Sequence, residues 1–529
     1  RAMLPELQVT AEDIGADKRL LEKLAAWCDR YTPWVALDDT PEQAGAGLFL
    51  DIAGCAHLFG GGEAGEARLL DLAALLHEQG TDWAQLADDF PYKDKQTWAK
   101  LKQYQAQSGG IWINEHFDAT HGVNVAMGVK AAGVWFRQSH DPRDRTASSR
   151  LLAQLDRYHG QPNGMYSCDE HLAGTSPSQG TELCTVVELM FSLECLIAAL
   201  GDPLLADRLE LIAFNALPAT LGPGFMTHQY DQQVNQVVCR VSEDRIYTNN
   251  GPEANLFGLE PNFGCCLANM HQGWPKLATH LWMTTADHAG LVAISYAPCE
   301  VVASLRHGRV RVEIETIYPS EASIRPPVHG DAEADFPLLR RIPAWAEGAT
   351  VTIGGQTTAC MPGTFHELRR TWRGGATALT LRLPMRPRLT PGHASAASIH
   401  VGPLLMALNI DAEWRKLRDR PPTADYELYP TSKWAYALAE DERTITGGGD
   451  KPICPAEGPG APFTPDPAPV ALEARAVELP DWPIEHNAAA DPPEPVPSVE
   501  PTLLTLTPYG CTHLRVAAFP VVEALTSVS

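Results

Sequence analysis

At 529 residues the chain exceeds what one hydrophobic core ordinarily holds, so two to four domains are expected. Its 44% hydrophobic and 20% charged residues make it globular for most of its length, and a net charge of −24 repels phosphate backbones and excludes a general nucleic-acid binder. Twelve scattered cysteines exclude a small disulfide-framed scaffold, and no uninterrupted apolar run of membrane-spanning length is read, so no membrane partner is expected. No signal-peptide pattern is visible, and a cytoplasmic location is expected.

The first 75 residues mix a helix with strands. In "DKRLLEKLAAWCDRY" the spacing of Leu21, Leu24, Ala25 and Cys28 is helical, and "GLFLDIAGCAHLFGGG" reads as a strand closed by a glycine turn. Together with "RAMLPELQV" and "LAAWCDRYTPWVALD", this stretch resembles the ImuB-type, Y-family-polymerase-like proteins of bacterial DNA repair. Nucleotidyl transfer requires several carboxylates holding two metals, and this piece offers Asp38, Asp39 and Asp51 at most. Residues 1–75 are therefore read as a small α/β fragment without polymerase activity.

Residues 76–284 follow with a helical pattern. Periodicity predicts helices over 66–79, 93–107, 123–138, 147–158, 182–200, 202–217 and 266–283. Between them lie long polar loops such as "YHGQPNGMYSCDEHLAGTSPSQG", and loops of that length tied to packed helices are where function concentrates. From 285 to 412 the period changes to two. Val310, Val312 and Ile314 alternate with Arg311, Glu313 and Glu315, and Leu379, Leu381 and Leu383 repeat the pattern, which predicts a β-sandwich. Residues 413–529 combine Pro-rich segments with the strands "TLLTLTPYG" and "THLRVAAFP", which complete or extend the sandwich.

Three stretches of the helical part carry unusual chemistry. "CDEH" places Asp169 and Glu170 in a glycine-rich loop, "GTELC" places Glu182 and Cys184 at a helix start, and "FGCC" places Cys265 and Cys266 at another. A helix start favours a thiolate through its free N–H groups and dipole. One carboxylate and three thiols are donor types that zinc prefers. Residues two apart diverge on a regular helix, so Glu182 and Cys184 converge only if the pair lies on the extended entry to the helix. Each residue also has an ordinary reading. Paired cysteines pack as small hydrophobes, Cys184 sits beside Leu183 and Val187, and Glu182 suits a helix start as a plain acid.

"HGVNVAMGVKAAGVWF", "HGQPNGMYSCDEHLAGTSPSQGTELC", "EPNFGCCLANMHQGWPK" and "VGPLLMALNI" are similar to glycoside hydrolase family 127, the β-L-arabinofuranosidases, over about residues 70–522. The resemblance implies zinc held by Glu182, Cys184, Cys265 and Cys266, with Cys265 as nucleophile and Glu170 as general acid/base. It implies an arabinofuranoside-type glycan or oligosaccharide as substrate, and His121, Asn124, His159 and Tyr230 are candidates for holding its hydroxyls. Trp274 reads either as an apolar platform or as a core tryptophan.

The family's catalytic domain is an (α/α)₆ barrel of twelve helices, against about seven here. The expected fold is thus multidomain α+β: an incomplete (α/α)₆-type helical barrel, then a β-sandwich, preceded by the α/β fragment. An opened barrel exposes apolar stripes, so self-association is expected. Three functions stand at this point: a retaining glycosidase weakened by the loss of barrel helices, an inactive fusion product with a structural zinc site, and a DNA-repair accessory protein.

Overall fold

The computed structural model describes residues 64–112, 114–259, 264–306, 308–325, 328–330, 334–372, 375–439, 463–465, 468–497 and 500–523. The α/β fragment expected at the N-terminus lies, through residue 63, outside the described residues. The chain is multidomain α+β and forms two compact units, one made of Arg1–Tyr92 with Gln96–Gln154, the other of Lys93–Lys95 with Leu155–Ser529.

Helices Ala64–Gln79, Trp83–Asp88, Trp98–Gln107, Glu115–Thr120, Gly122–Gly128 and Ala131–Ser139 belong to the first unit, and Pro142–His159 begins in it. Their starts are set by side chains that accept from free backbone N–H groups: Asp82 from Gln85, Thr97 from Lys100, Asn114 from Phe117. The Thr97 cap explains why the third helix begins at Trp98 and not at 93. The helix predicted over 123–138 is two helices. Gly128, at the end of the first, lies against the Trp83 indole, where a Cβ would come within 2.2 Å of the ring. Ala84, Ala132 and Ala147 pack together in the unit's interior, while Trp98, Ile111 and Trp112 are exposed.

The second unit is built on helix Leu183–Leu200. By length and composition this helix is long and apolar enough to cross a membrane. Glu188 and Glu194 interrupt the run, yet its mean hydropathy reaches 2.0. Of its residues 67% are buried within the protein, and apolar residues lie on nearly every face, the pattern of a core helix. Pro203–Leu211 packs on it and continues through a π turn, Ile212–Ala216. The helix expected over 266–283 is again two, Gly264–Met270 and Gly273–His280.

Inserted among these helices is a four-stranded sheet that periodicity missed, because its strands are only two or three residues long. Its strands are β1 (Cys168–Asp169), β2 (His171–Leu172), β3 (Gly180–Glu182) and β4 (Asp231–Gln233), in the order β2-β1-β3-β4. From Trp282 onward the chain is β-rich. Strand Ala334–Ile342 pairs along its whole length with Thr364–Trp372. Strands Thr502–Pro508 and Leu514–Val516 both return to pair with Leu404–Ile410.

Candidate active site

The small sheet places the polar residues of the site. Glu182 ends β3 with extended backbone (φ −67°, ψ 137°), and Cys184 lies in the first turn of the helix that follows. That is the geometry on which a Glu-x-Cys pair converges. Opposite Glu182 on β4 stands Asp231, whose carboxylate lies over Gly180, where a Cβ would come within 2.1 Å of it. Only glycine fits there.

Cys265 and Cys266 occupy successive positions near the start of helix Gly264–Met270. Successive helix positions point in different directions, and the two thiols divide accordingly: Cys265 is exposed and Cys266 buried. Cys266 Sγ lies 3.3 Å from Cys184 Sγ. The Glu182 carboxylate and the three sulfurs have donor atoms within 4.8 Å of one another. Hydrogen bonds from Cys184 and Cys266 pull the Cys265 thiol down to about 3. Cys184 is raised, first through its bond to Cys265, and Cys266 is raised well above its ordinary value, mainly by burial. Three thiols and a carboxylate within one ion's reach fit zinc.

Glu170 sits at the turn between β1 and β2, whose register pairs Asp169 with His171 on either side of it. Its φ is +85°, in the left-handed region that side chains avoid. One Glu170 carboxylate oxygen lies within 4.8 Å of a Glu182 carboxylate oxygen. The Tyr230 hydroxyl donates to Glu170 Oε2, and Asn250 Nδ2 donates to the same oxygen at 2.9 Å. Burial first, then the carboxylates of Glu182, Glu170 and Asp231, hold the Tyr230 hydroxyl well above its ordinary pKa, so it remains a donor. Behind Glu170, the fully buried Asp169 meets Lys95 Nζ at 2.9 Å. Burial pushes the Asp169 carboxyl up to about 7, with Lys95 opposing.

The structure therefore gathers Glu170, Glu182, Cys184, Cys265, Cys266 and Tyr230. Tyr230, expected on the sugar, is fully buried and spends its hydroxyl on Glu170. His159 is also fully buried, and its Nδ1 accepts from the Gly174 backbone at 2.9 Å, which anchors the loop that follows β2. His121 and Asn124 belong to the first unit. There His121 stacks on Phe117 at 5.1 Å, and Asn124 donates to Asp118 at 2.7 Å. Trp274 stacks on Phe463 and donates to the Ala213 carbonyl, the behaviour of a packed tryptophan. Asn250 and Lys95 were missed. Their sequence surroundings mark an Asn-rich loop and a lysine-rich turn, without any spacing that points to Glu170.

Residues 290–385 match the family model described as the middle domain of the GH127 β-L-arabinofuranosidases. Among solved structures, a protein titled glycoside hydrolase superposes with a TM-score of 0.59 at 15% identity, covering 90% of this chain and 74% of its own. The GH127 β-L-arabinofuranosidase of Geobacillus stearothermophilus T6 gives 0.56 at 16% identity, with coverage of 92% and 81%. At these identities the likeness is one of fold. A 79-residue stretch is 44% identical to the protein ImuB of Caulobacter vibrioides, and the chain spans 16% of that protein's length. The chain thus carries a GH127 middle domain at 290–385, resembles the GH127 β-L-arabinofuranosidases in fold, and joins to this a short ImuB-like piece.

Proposed function

We propose that the chain is a retaining glycoside hydrolase of the β-L-arabinofuranosidase type, with Cys265 as nucleophile and Glu170 as acid/base. The observation that carries the reading is the division of labour in the thiol cluster. Three sulfurs and the Glu182 carboxylate converge within 4.8 Å, yet only Cys265 is exposed. Glu182, Cys184, Cys265 and Cys266 would hold zinc, which when bound keeps a coordinating sulfur deprotonated at neutral pH.

The chain's own residues then account for both halves of the reaction. Cys265 Sγ attacks the anomeric carbon as the bond to the glycosidic oxygen breaks, and that oxygen takes its proton from Glu170. The sugar is left joined to sulfur. Glu170, now ionised, removes a proton from water, whose oxygen displaces Cys265 from the anomeric carbon. Two displacements retain the configuration, as in glycosidases that use a carboxylate nucleophile. Burial of Tyr230, Asp169 and Asp231 around Glu170 excludes water from the far side of the carboxylate.

The wider architecture is read as an incomplete (α/α)₆-type barrel over 76–284, with β-sandwich structure over 285–412 that the C-terminal strands complete. The exposed Trp98, Ile111 and Trp112 of the first unit are read as a face that a second copy covers. Three free thiols in contact suit a reducing, cytoplasmic compartment. The test is release of arabinose from an aryl β-L-arabinofuranoside by the zinc-loaded chain. Stoichiometric zinc without release would leave the site structural and overturn the proposal.

A further inference from the structure

We infer that Asn250, held by the segment 246–250 and anchored through Lys95, is a positioning residue that fixes the Glu170 carboxylate and assigns its two oxygens different tasks. This rests on the reading of Glu170 as acid/base.

Glu170 occupies a backbone conformation (φ +85°) that a residue with a Cβ holds only when its surroundings impose it. Segment 246–250 supplies that constraint. The Ile246 carbonyl accepts from Lys95 Nζ at 2.6 Å, and the same ammonium reaches the Gln179 side chain and Asp169 Oδ2, the latter at 2.9 Å. One ammonium therefore ties this segment to Asp169, next to Glu170, and to Gln179, the residue before the strand that ends at Glu182. The Asn249 N–H donates to the Asp169 carbonyl at 3.0 Å, next to the strained residue. Thr248 Oγ1 accepts from the Asn250 N–H at 3.0 Å and turns that residue toward Glu170.

The Asn250 amide is oriented by its own network. Its Oδ1 accepts from the Gly251 N–H at 3.0 Å, which leaves Nδ2 to donate to Glu170 Oε2 at 2.9 Å and to the Tyr230 oxygen at 3.2 Å. The reverse orientation would set Oδ1 against a carboxylate oxygen. Oε2 therefore receives two donors, Asn250 and Tyr230, and is the oxygen that stays an acceptor. The proton that passes to the glycosidic oxygen is carried on Oε1.

The test uses Asn250→Ala in the zinc-loaded full chain, read by crystallography and by kinetics. The expected structure has Glu170 out of the left-handed region with its carboxylate withdrawn from Tyr230, while zinc content equals wild type. Catalysis is expected to lose about 10–100-fold in kcat/KM on a methyl β-L-arabinofuranoside, whose departure requires an acid. On the 2,4-dinitrophenyl glycoside, which leaves without one, the expected loss is under about threefold. Lys95→Met should show the same split, and Lys95→Arg should restore most of the rate. An unmoved Glu170 in Asn250→Ala, or equal losses on the two glycosides, would overturn the inference. A wild-type chain that hydrolyses neither glycoside would instead overturn the proposed function, and the crystallographic arm would still decide whether Asn250 holds Glu170.

Discussion

Cys184 and Cys266, 82 residues apart in the chain, bring their sulfurs to 3.3 Å of each other, and both are buried. This contact joins the helix that follows Glu182 to the helix that carries Cys265. Two thiols, a third beside them and a carboxylate make a closed donor set, so removing one donor should abolish tight metal binding. Purified wild-type chain is expected to hold about one zinc per molecule, and Cys184→Ala close to none, by elemental analysis. Equal zinc in both would show that the metal lies elsewhere.

The two adjacent thiols should differ in reactivity. Cys265 is exposed and accepts hydrogen bonds from its neighbours, whereas Cys266 is buried. An arabinofuranose-mimicking electrophile, such as a cyclic epoxide, should label Cys265, located by peptide mass mapping. Labelling confined to Cys266 would reverse the assignment.

How much of this was readable in the chain depends on what each residue answers to. Cys265 and Cys266 stand side by side, so their separation into one exposed and one buried thiol follows from helix geometry alone. Glu182 and Cys184 were readable as a conditional, met because β3 ends at Glu182. Tyr230 stood out as a polar ring in a polar loop, but its partner depends on β4 pairing with β3, and strands of three residues leave no periodic trace. Asn250 reaches Glu170 across 80 residues of sequence. His159 was assigned to the sugar by residue type, and a buried backbone N–H had the prior claim on its ring. The helix breaks near Gly128 and Met270 were invisible because apolar spacing runs through both.

A second tie joins helix Leu183–Leu200 to Gly273–His280, the helix that follows the one bearing Cys265. His280 Nδ1 lies 3.0 Å from Glu194 Oε2, and the Glu194 side chain is fully buried. Burial alone would lower the His280 pKa, but the hydrogen bond and charge of Glu194 outweigh it and raise it. Burial likewise raises Glu194, with His280 opposing. A histidine whose folded pKa is raised contributes stability that is complete below its unfolded value, about 6.5, and lost as pH rises through the folded value. The raised Glu194 acts in the same direction, since the folded state keeps its proton to higher pH than the unfolded chain does. Stability to urea should therefore fall as pH rises past about 6.5, and Glu194→Gln should flatten that slope. His280→Ala should cost about 1–3 kcal/mol at neutral pH, because a buried carboxylate loses its partner. An unchanged slope in Glu194→Gln would show that other groups set it.

The β-rich region holds a local conflict that makes the final prediction. On strand Ala334–Ile342, Phe336, Leu338, Arg340 and Ile342 alternate onto one face, and all four are buried. Three suit an apolar layer and the fourth is a guanidinium. Arg340 is fully buried, and among the described residues none of its nitrogens has a hydrogen-bond partner. Burial lowers its pKa to about 10, so it remains charged at neutral pH. Its cross-strand neighbour is His366, whose own pKa is lowered by burial and then by Arg340, so the pair repels whenever both are charged. Its neighbour in sequence has a different fate. Arg341 points to the opposite face and pairs with Asp207 and Glu210. Even a buried ion pair is often bettered, by about 1–4 kcal/mol, by apolar residues of similar volume, and a buried charge without a partner lacks the pair's attraction to offset its desolvation. Arg340→Leu is expected to raise the urea midpoint by a corresponding amount without changing the slope of the transition, whereas Arg341→Leu should destabilise, because it strands two carboxylates. A destabilised Arg340→Leu would show that the guanidinium is compensated and that the apolar row is not the governing environment.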